Sequence, residues 1–149
     1  MSIIKQTQHA TGHKEAPTPY GAGNIACAIF NYSFAAAYTA ATDIIALGYL
    51  PAGCVPLTVR AGSTALGAGA TMDLGFMSGD LGSTDTTQTS GDELVDGLGA
   101  HSTEIEATLA DLLAIESVDY HRPIGLKISQ DVTADAAKTV SVQVFYRPA

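Results

Sequence analysis

The chain has 149 residues and a formal net charge of −8, from 7 Lys and Arg against 15 Asp and Glu. Charged residues are 15% of the composition, against roughly 25% in an average soluble domain. That balance excludes a basic nucleic-acid face, the broken apolar runs exclude a membrane-spanning helix, and 15 Gly with 6 Pro favour many turns over a helical bundle. A chain of this length forms one core without needing a disulfide or a metal, and the absence of Trp excludes aromatic stacking platforms.

Residues 1–23 differ from the rest. Lys5 and Lys14 against Glu15 leave this stretch at +1, while the remainder stands at −9. Its start, Met1 to His9, lacks the apolar stretch of a secretory signal, so the expected compartment is the cytoplasm or a route outside general secretion. Ala16-Pro17 and Thr18-Pro19 push the chain toward extended conformations. The reading is an N-terminal arm, 1–23, ahead of a β domain, 24–149. Fully extended, the arm reaches ~75 Å, enough to cross onto a neighbouring subunit. The plain alternative is a loose terminus.

The body reads as strands separated by turns. From Asn24 to Ala36, Ile25, Cys27, Ile29 and Asn31 alternate with Ala26, Ala28, Phe30, Tyr32 and Phe34. Both faces are largely apolar, which suits a strand buried on both sides or one facing a partner. Residues 42–50 form a second strand, closed by Pro51-Ala-Gly53. Val55, Leu57, Val59 and Ala61 then alternate with Pro56, Thr58 and Arg60, and Pro56 marks an edge or a bulge. Met72, Leu74 and Phe76 form the next strand. Residues 78–101 read as a long polar surface loop with room for one helical turn over 92–98. Residues 103–116 fit a helix through the capping pattern Thr103-Glu-Ile-Glu106, or a strand completing a sheet. At the end, Ile124, Leu126 and Ile128 and then Val140, Val142, Val144 and Tyr146 read as a hairpin across a turn at 131–137. Six or seven short strands at this spacing define an all-β sandwich, most simply a jelly roll.

No set of residues assembles into a catalytic or metal-binding pattern. His9 and His13 are four apart but lie in the Pro-flanked arm, and zinc or iron needs three or more converging ligands. Asp80, Asp85, Asp92, Glu93 and Asp96 do not have calcium-loop spacing and read as a solvated acidic loop. Cys27 and Cys54 lack an adjacent base and read as free, buried thiols. Gly67-Ala-Gly69 and Gly97-Leu-Gly99 lack the strand–helix context of a phosphate loop. Glu104/Glu106 and Glu116/Asp119 are the nearest carboxylate pairs, without the sugar platforms a glycosidase needs. The expectation is a non-enzymatic protein with no metal and no cofactor.

Three stretches carry a resemblance: Asp43-Ile-Ile-Ala-Leu-Gly-Tyr-Leu-Pro-Ala-Gly53, Leu66-Gly-Ala-Gly-Ala-Thr-Met-Asp-Leu-Gly75, and Arg122-Pro-Ile-Gly-Leu-Lys-Ile-Ser129 with the final strand to Tyr146. Over roughly residues 25–147 the chain resembles the small head decoration (cement) proteins of tailed bacteriophages. The resemblance implies a jelly roll on the outer capsid surface of the virion, made in the host cytoplasm. It further implies dimers or trimers, the major capsid protein as partner, and terminal arms that clamp neighbouring capsomers. In this chain the arm's expected contacts are Ile3 and Ile4 as anchors, with Pro17, Pro19 and Tyr20; loop 78–101 has no assigned role. The alternative is a jelly-roll carbohydrate-binding or fibre-tip module, which needs exposed tyrosines at a groove.

Overall fold

The computed structural model describes residues 2–5, 24–99 and 105–149. Within these, β1 spans Ser2–Lys5, β2 Ala26–Phe34, β3 Asp43–Leu50, β4 Cys54–Ser63, β5 Thr71–Phe76, β6 Val95–Gly99 and β7 Ile105–Glu106. A short helix, α1, spans Leu109–Leu113, followed by β8 at Arg122–Ile128 and β9 at Asp135–Pro148.

The pairing follows one rule. β2 pairs with β9, β3 with β8 and β5 with β6, all antiparallel, as if one long hairpin with its tip between β5 and β6 had been rolled up. The β4–β9, β4–β7 and β5–β8 pairs complete two sheets, β1-β3-β8-β5-β6 and β2-β9-β4-β7. This strand order is the jelly roll. β1 adds to the outer edge of β3 in parallel, with Ser2 opposite Asp43 and Lys5 opposite Ala46.

The core is built by period-2 alternation, because successive strand side chains point to opposite faces. Phe30 and Phe34 of β2, Ile124, Leu126 and Ile128 of β8, and Val140, Val142, Val144 and Tyr146 of β9 all face inward and are buried. Each such aliphatic or aromatic side chain stabilises the fold by roughly 1.5–3 kcal/mol.

Several expectations change. The last two strands are not a hairpin: β8 lies in one sheet and β9 in the other, so 129–134 crosses the sandwich. Alternation reports which face is buried, and it is the same whether the next strand lies alongside or opposite. In β4 the register shifts between Pro56 and Thr58, the bulge expected at Pro56. Cys54 and Pro56 point inward before it and Val59 and Ala61 after it, so Val55 and Leu57 are half-buried rather than in the core. Residues 95–99 are a strand, not a helical turn, because Gly97 adopts φ 64° and its N–H is held by the Asp73 carboxylate at 2.8 Å. Over 103–116 both alternatives occur, a two-residue strand and then α1; Thr103 and Glu104 lie outside the described residues. β2 is an edge strand buried on one side only, with Ile29, and Ile25 just before it, exposed.

The long polar loop is a strap over the outer face of the first sheet. Ala46, Gly125 and Gly75 stand in register across β3, β8 and β5. A Cβ on Gly75 would overlap the backbone of Gly91, and one on Gly125 would overlap Ser90 and Met77. The strap thus lies in a channel of small residues. It is fastened by Met77 N–H to Pro123 O at 2.8 Å, Gly91 N–H to Phe76 O at 3.1 Å and Leu94 N–H to Leu74 O at 2.9 Å. Buried Gln88 donates to Ser78 O at 2.6 Å and staples its two limbs. Under it, Met77 packs with Ile44 and Ala46, which is why β3 is buried along its whole length.

Candidate functional site

Four regions are candidates: the outer face of the second sheet, the two flanks of the sandwich, and the arm. The cross-strand register sets the outer face row by row. Ile25 precedes Ala26, which is opposite Tyr146, and the next residue, Arg147, is opposite Val55; Cys27 is opposite Phe145, which is opposite Thr58; Ile29 is opposite Gln143, which is opposite Arg60. Below them Asn31 accepts a hydrogen bond from the Ser141 hydroxyl at 2.7 Å. The upper rows are therefore apolar with arginines, and the lower rows are small and polar. The polar part holds a depression of about 280 Å³ lined by residues such as Arg60, Ser63, Thr139, Ser141 and Gln143, with no aromatic wall.

The flank carrying β6 and α1 has the opposite character. Eleven of the 15 Asp and Glu lie between residues 61 and 121, where there is no Lys or Arg. Asp92, Glu93 and Asp96 face Asp111 of α1 across a cleft of about 300 Å³. Leu112 anchors α1 in the core, while Leu109 and Leu113, one helical turn apart, are 65% and 76% exposed.

Polar chemistry inside the molecule is structural. Arg122 lies over the Phe76 ring, 4.2 Å from its centroid, and donates to Cys54 O at 3.3 Å. Burial pulls its guanidinium below the usual value but leaves it charged. Asp43 accepts from Thr39 N–H at 2.9 Å and Thr42 Oγ1 at 3.1 Å, which closes the turn before β3. His121 accepts from Ala52 N–H at 3.1 Å and packs its ring on Tyr49. Cys27 and Cys54 are free, Cys54 buried and Cys27 half-buried, and burial pushes both thiols up, away from nucleophilic reactivity. Among the described residues no group of three or more His, Cys, Asp or Glu is placed to hold a metal ion. Nor is any helix among them long and apolar enough to cross a membrane.

Of the expected contact residues, Ile3 and Ile4 lie in β1, on the edge of their own chain's β3. Pro17, Pro19 and Tyr20 lie outside the described residues, as do His9 and His13. Sequence reading missed Leu109 and Leu113 as surface groups because Ile105, Leu109 and Leu112 share the spacing of a buried helical stripe. In the five-residue α1 only Leu112 is buried, and Leu109 and Leu113 face outward.

The whole is a jelly-roll sandwich whose described interior polar groups serve the fold and whose remaining chemistry lies on its outer surfaces. Solved structures give that class a setting. The chain is similar to a chain in the capsid of Ralstonia phage GP4, with 30% identity over 99% of both chains and a TM-score of 0.88. It also resembles a chain of the cyanophage Pam1 capsid asymmetric unit, with 21% identity over 89% of this chain and 91% of that one and a TM-score of 0.57, a likeness of fold. No family model and no curated protein sequence matches it. With that identity across the full length of both chains, this chain belongs to the phage head proteins, structural components of the virion.

Proposed function

We propose that the chain is a non-enzymatic decoration (cement) protein that binds the outer surface of the head and stabilises it by bridging major capsid protein subunits. The observation that carries this reading is the end-to-end likeness to a capsid chain in a molecule whose distinctive chemistry is on its surfaces. Charge supports the outer location. A chain at −8, with eleven acids and no Lys or Arg over 61–121, is repelled by packaged DNA, so the outside of the shell is its favourable side. A bound protein touching several subunits raises the free energy of separating them, because its own contacts must be released first.

The arm completes the proposal. β1 demonstrates that residues 2–5 add to a strand edge, and the same pairing offered to a shell neighbour is β-augmentation. Ile3 and Ile4 then act as anchors, with Pro17, Pro19 and Tyr20 along the crossing. The chain acts as a homo-oligomer, dimer or trimer. Among the described residues the carbohydrate-binding alternative finds no support: Tyr32, Tyr38, Tyr49 and Tyr146 are buried, Tyr120 is not part of the lining of the polar depression, and that lining has no aromatic ring.

The test is binding to heads stripped of this protein. The full chain should bind and raise the temperature at which heads rupture; no binding overturns the decoration role. Deleting residues 2–20 should weaken binding and protection while the melting of the free sandwich shifts only modestly. Equal binding by the shortened chain makes the arm a passive tail.

A further inference from the structure

The two flanks of the sandwich are complementary to each other. β2 lies beside β3 on one flank, and α1 packs beside β4 on the other. The β2 flank exposes Ile25 at 64% and Ile29 at 53%; Ile25 directly precedes Ala26, whose cross-strand partner Tyr146 directly precedes the exposed Arg147. The α1 flank exposes Leu109 and Leu113 next to Asp111, in the stretch that lacks Lys and Arg.

We propose that copies of this chain associate head to tail, the α1 flank of one seated on the β2 flank of the next. This rests on the self-association part of the function above and names its contact. Single exposed aliphatics are ordinary on any surface. Here they come in pairs, two on the helix, and one on β2 with one just before it, and such clusters mark interaction sites. Charge selects the pairing. Joining two α1 flanks would set carboxylates against carboxylates, and joining two β2 flanks would set Arg147 against its own copy. Joining α1 to β2 sets Asp111 toward Arg147 and leucine toward isoleucine. The contact is heterologous, since it uses two different patches. Because the patches lie on opposite flanks of one body, two copies cannot satisfy both at once, and a ring of three or more can. Between dimer and trimer, this contact selects the trimer.

Sedimentation velocity on three full-length proteins tests it: the natural chain, a variant with Leu109→Ser and Leu113→Ser, and a variant with Ile25→Ser and Ile29→Ser. All four positions are exposed, and thermal melts confirm folding. Should either variant fail to fold, Asp111→Arg and Arg147→Glu replace the pair. The natural chain should assemble beyond a dimer, and each variant alone should associate roughly tenfold or more weakly, given the aliphatic area removed. An equimolar mixture of the two variants should form a one-to-one complex and stop there, because one supplies an intact β2 flank and the other an intact α1 flank. If either variant assembles like the natural chain, or the mixture stays monomeric, the head-to-tail contact is wrong while self-association stands. A natural chain that is monomeric at every concentration overturns self-association and this contact together; binding to stripped heads is read separately.

Discussion

The Phe30 ring and the backbone of Gly48 touch across the sandwich so closely that a Cβ on Gly48 would overlap the ring, with Phe30 Cζ 2.8 Å from it. Phe30 comes from β2 in one sheet and Gly48 from β3 in the other, beside the irregularity between Ala46 and Gly48. A buried aromatic ring of β2 is thus accommodated by the absence of a side chain on β3.

Gly48→Ala is expected to destabilise the fold by about 1–3 kcal/mol, because a fully packed ring has no empty volume to move into. Phe30→Leu in the same chain should recover part of that loss, a coupling between neighbours that additivity would not give. Urea unfolding of the two single variants and the double variant measures it. Additive losses would mean that the two residues do not share the contact.

The strap over the first sheet makes a second prediction. Gly75→Ala places a methyl into the backbone of Gly91, which cannot rotate away as a side chain can. The strap should lift, so protease cleavage and amide exchange over 78–91 increase while the two sheets keep their protection. Gly125→Ala meets the Ser90 and Met77 side chains instead and should have the weaker effect. Unchanged exchange in the strap for both variants would contradict the packing described.

Much of the fold was legible because burial on one face imposes period 2: β2 and β9 show it over their buried lengths, and β8 shows it in its aliphatic residues Ile124, Leu126 and Ile128, although the strap buries its other face as well. What alternation could not carry is pairing: Ile124–Ile128 and Val140–Tyr146 face the same core from opposite sheets, and a local pattern holds no information on which strand lies alongside. The bulge at Pro56 was legible from proline's missing N–H, but its consequence, the phase reversal that turns Val55 and Leu57 partly outward, was not. The surfaces were the least legible. Leu109 and Leu113 look like core, and the strap looks like solvent loop, because its partners are glycines whose role is to be small.

Tyr38 and Tyr146 are both buried and differ in their hydroxyls. Tyr38 Oη accepts from Ile128 N–H at 2.9 Å and faces Ile128 O at 3.4 Å. Tyr146 Oη has no hydrogen-bond partner among the described residues. Tyr38→Phe should therefore cost about 1–3 kcal/mol, since it leaves buried backbone groups of Ile128 unpaired. Tyr146→Phe should be neutral or stabilising by up to about 1 kcal/mol, since it removes a buried polar atom that makes no bond. Chemical denaturation distinguishes them, and equal losses would show that Tyr146 Oη is satisfied in solution.

The same tyrosines set the alkaline limit of the fold. Burial raises Tyr32, Tyr38 and Tyr146 above the ordinary phenol value of 10.0, with nearby acids adding to the shift for Tyr32 and Tyr38. A group whose pKa is higher folded than unfolded holds its proton more tightly in the fold. Its stabilising contribution is complete below the unfolded value and is lost as pH rises from there through the folded value. Cys27 and Cys54 act with the same sign from their ordinary value of 9.0 upward. Stability should therefore be level with respect to these groups from neutral pH to about 8.5, fall gently as the thiols begin to ionise in the unfolded chain, and fall steeply beyond about 10. Urea midpoints measured across this range, with phenolate absorbance followed in the same samples, should show tyrosine ionisation coinciding with unfolding. Tyr146→Phe should make the alkaline decline shallower, because one proton fewer separates the two states. Phenolate absorbance that completes its rise while the sheets remain folded would mean that these hydroxyls reach water in the native protein.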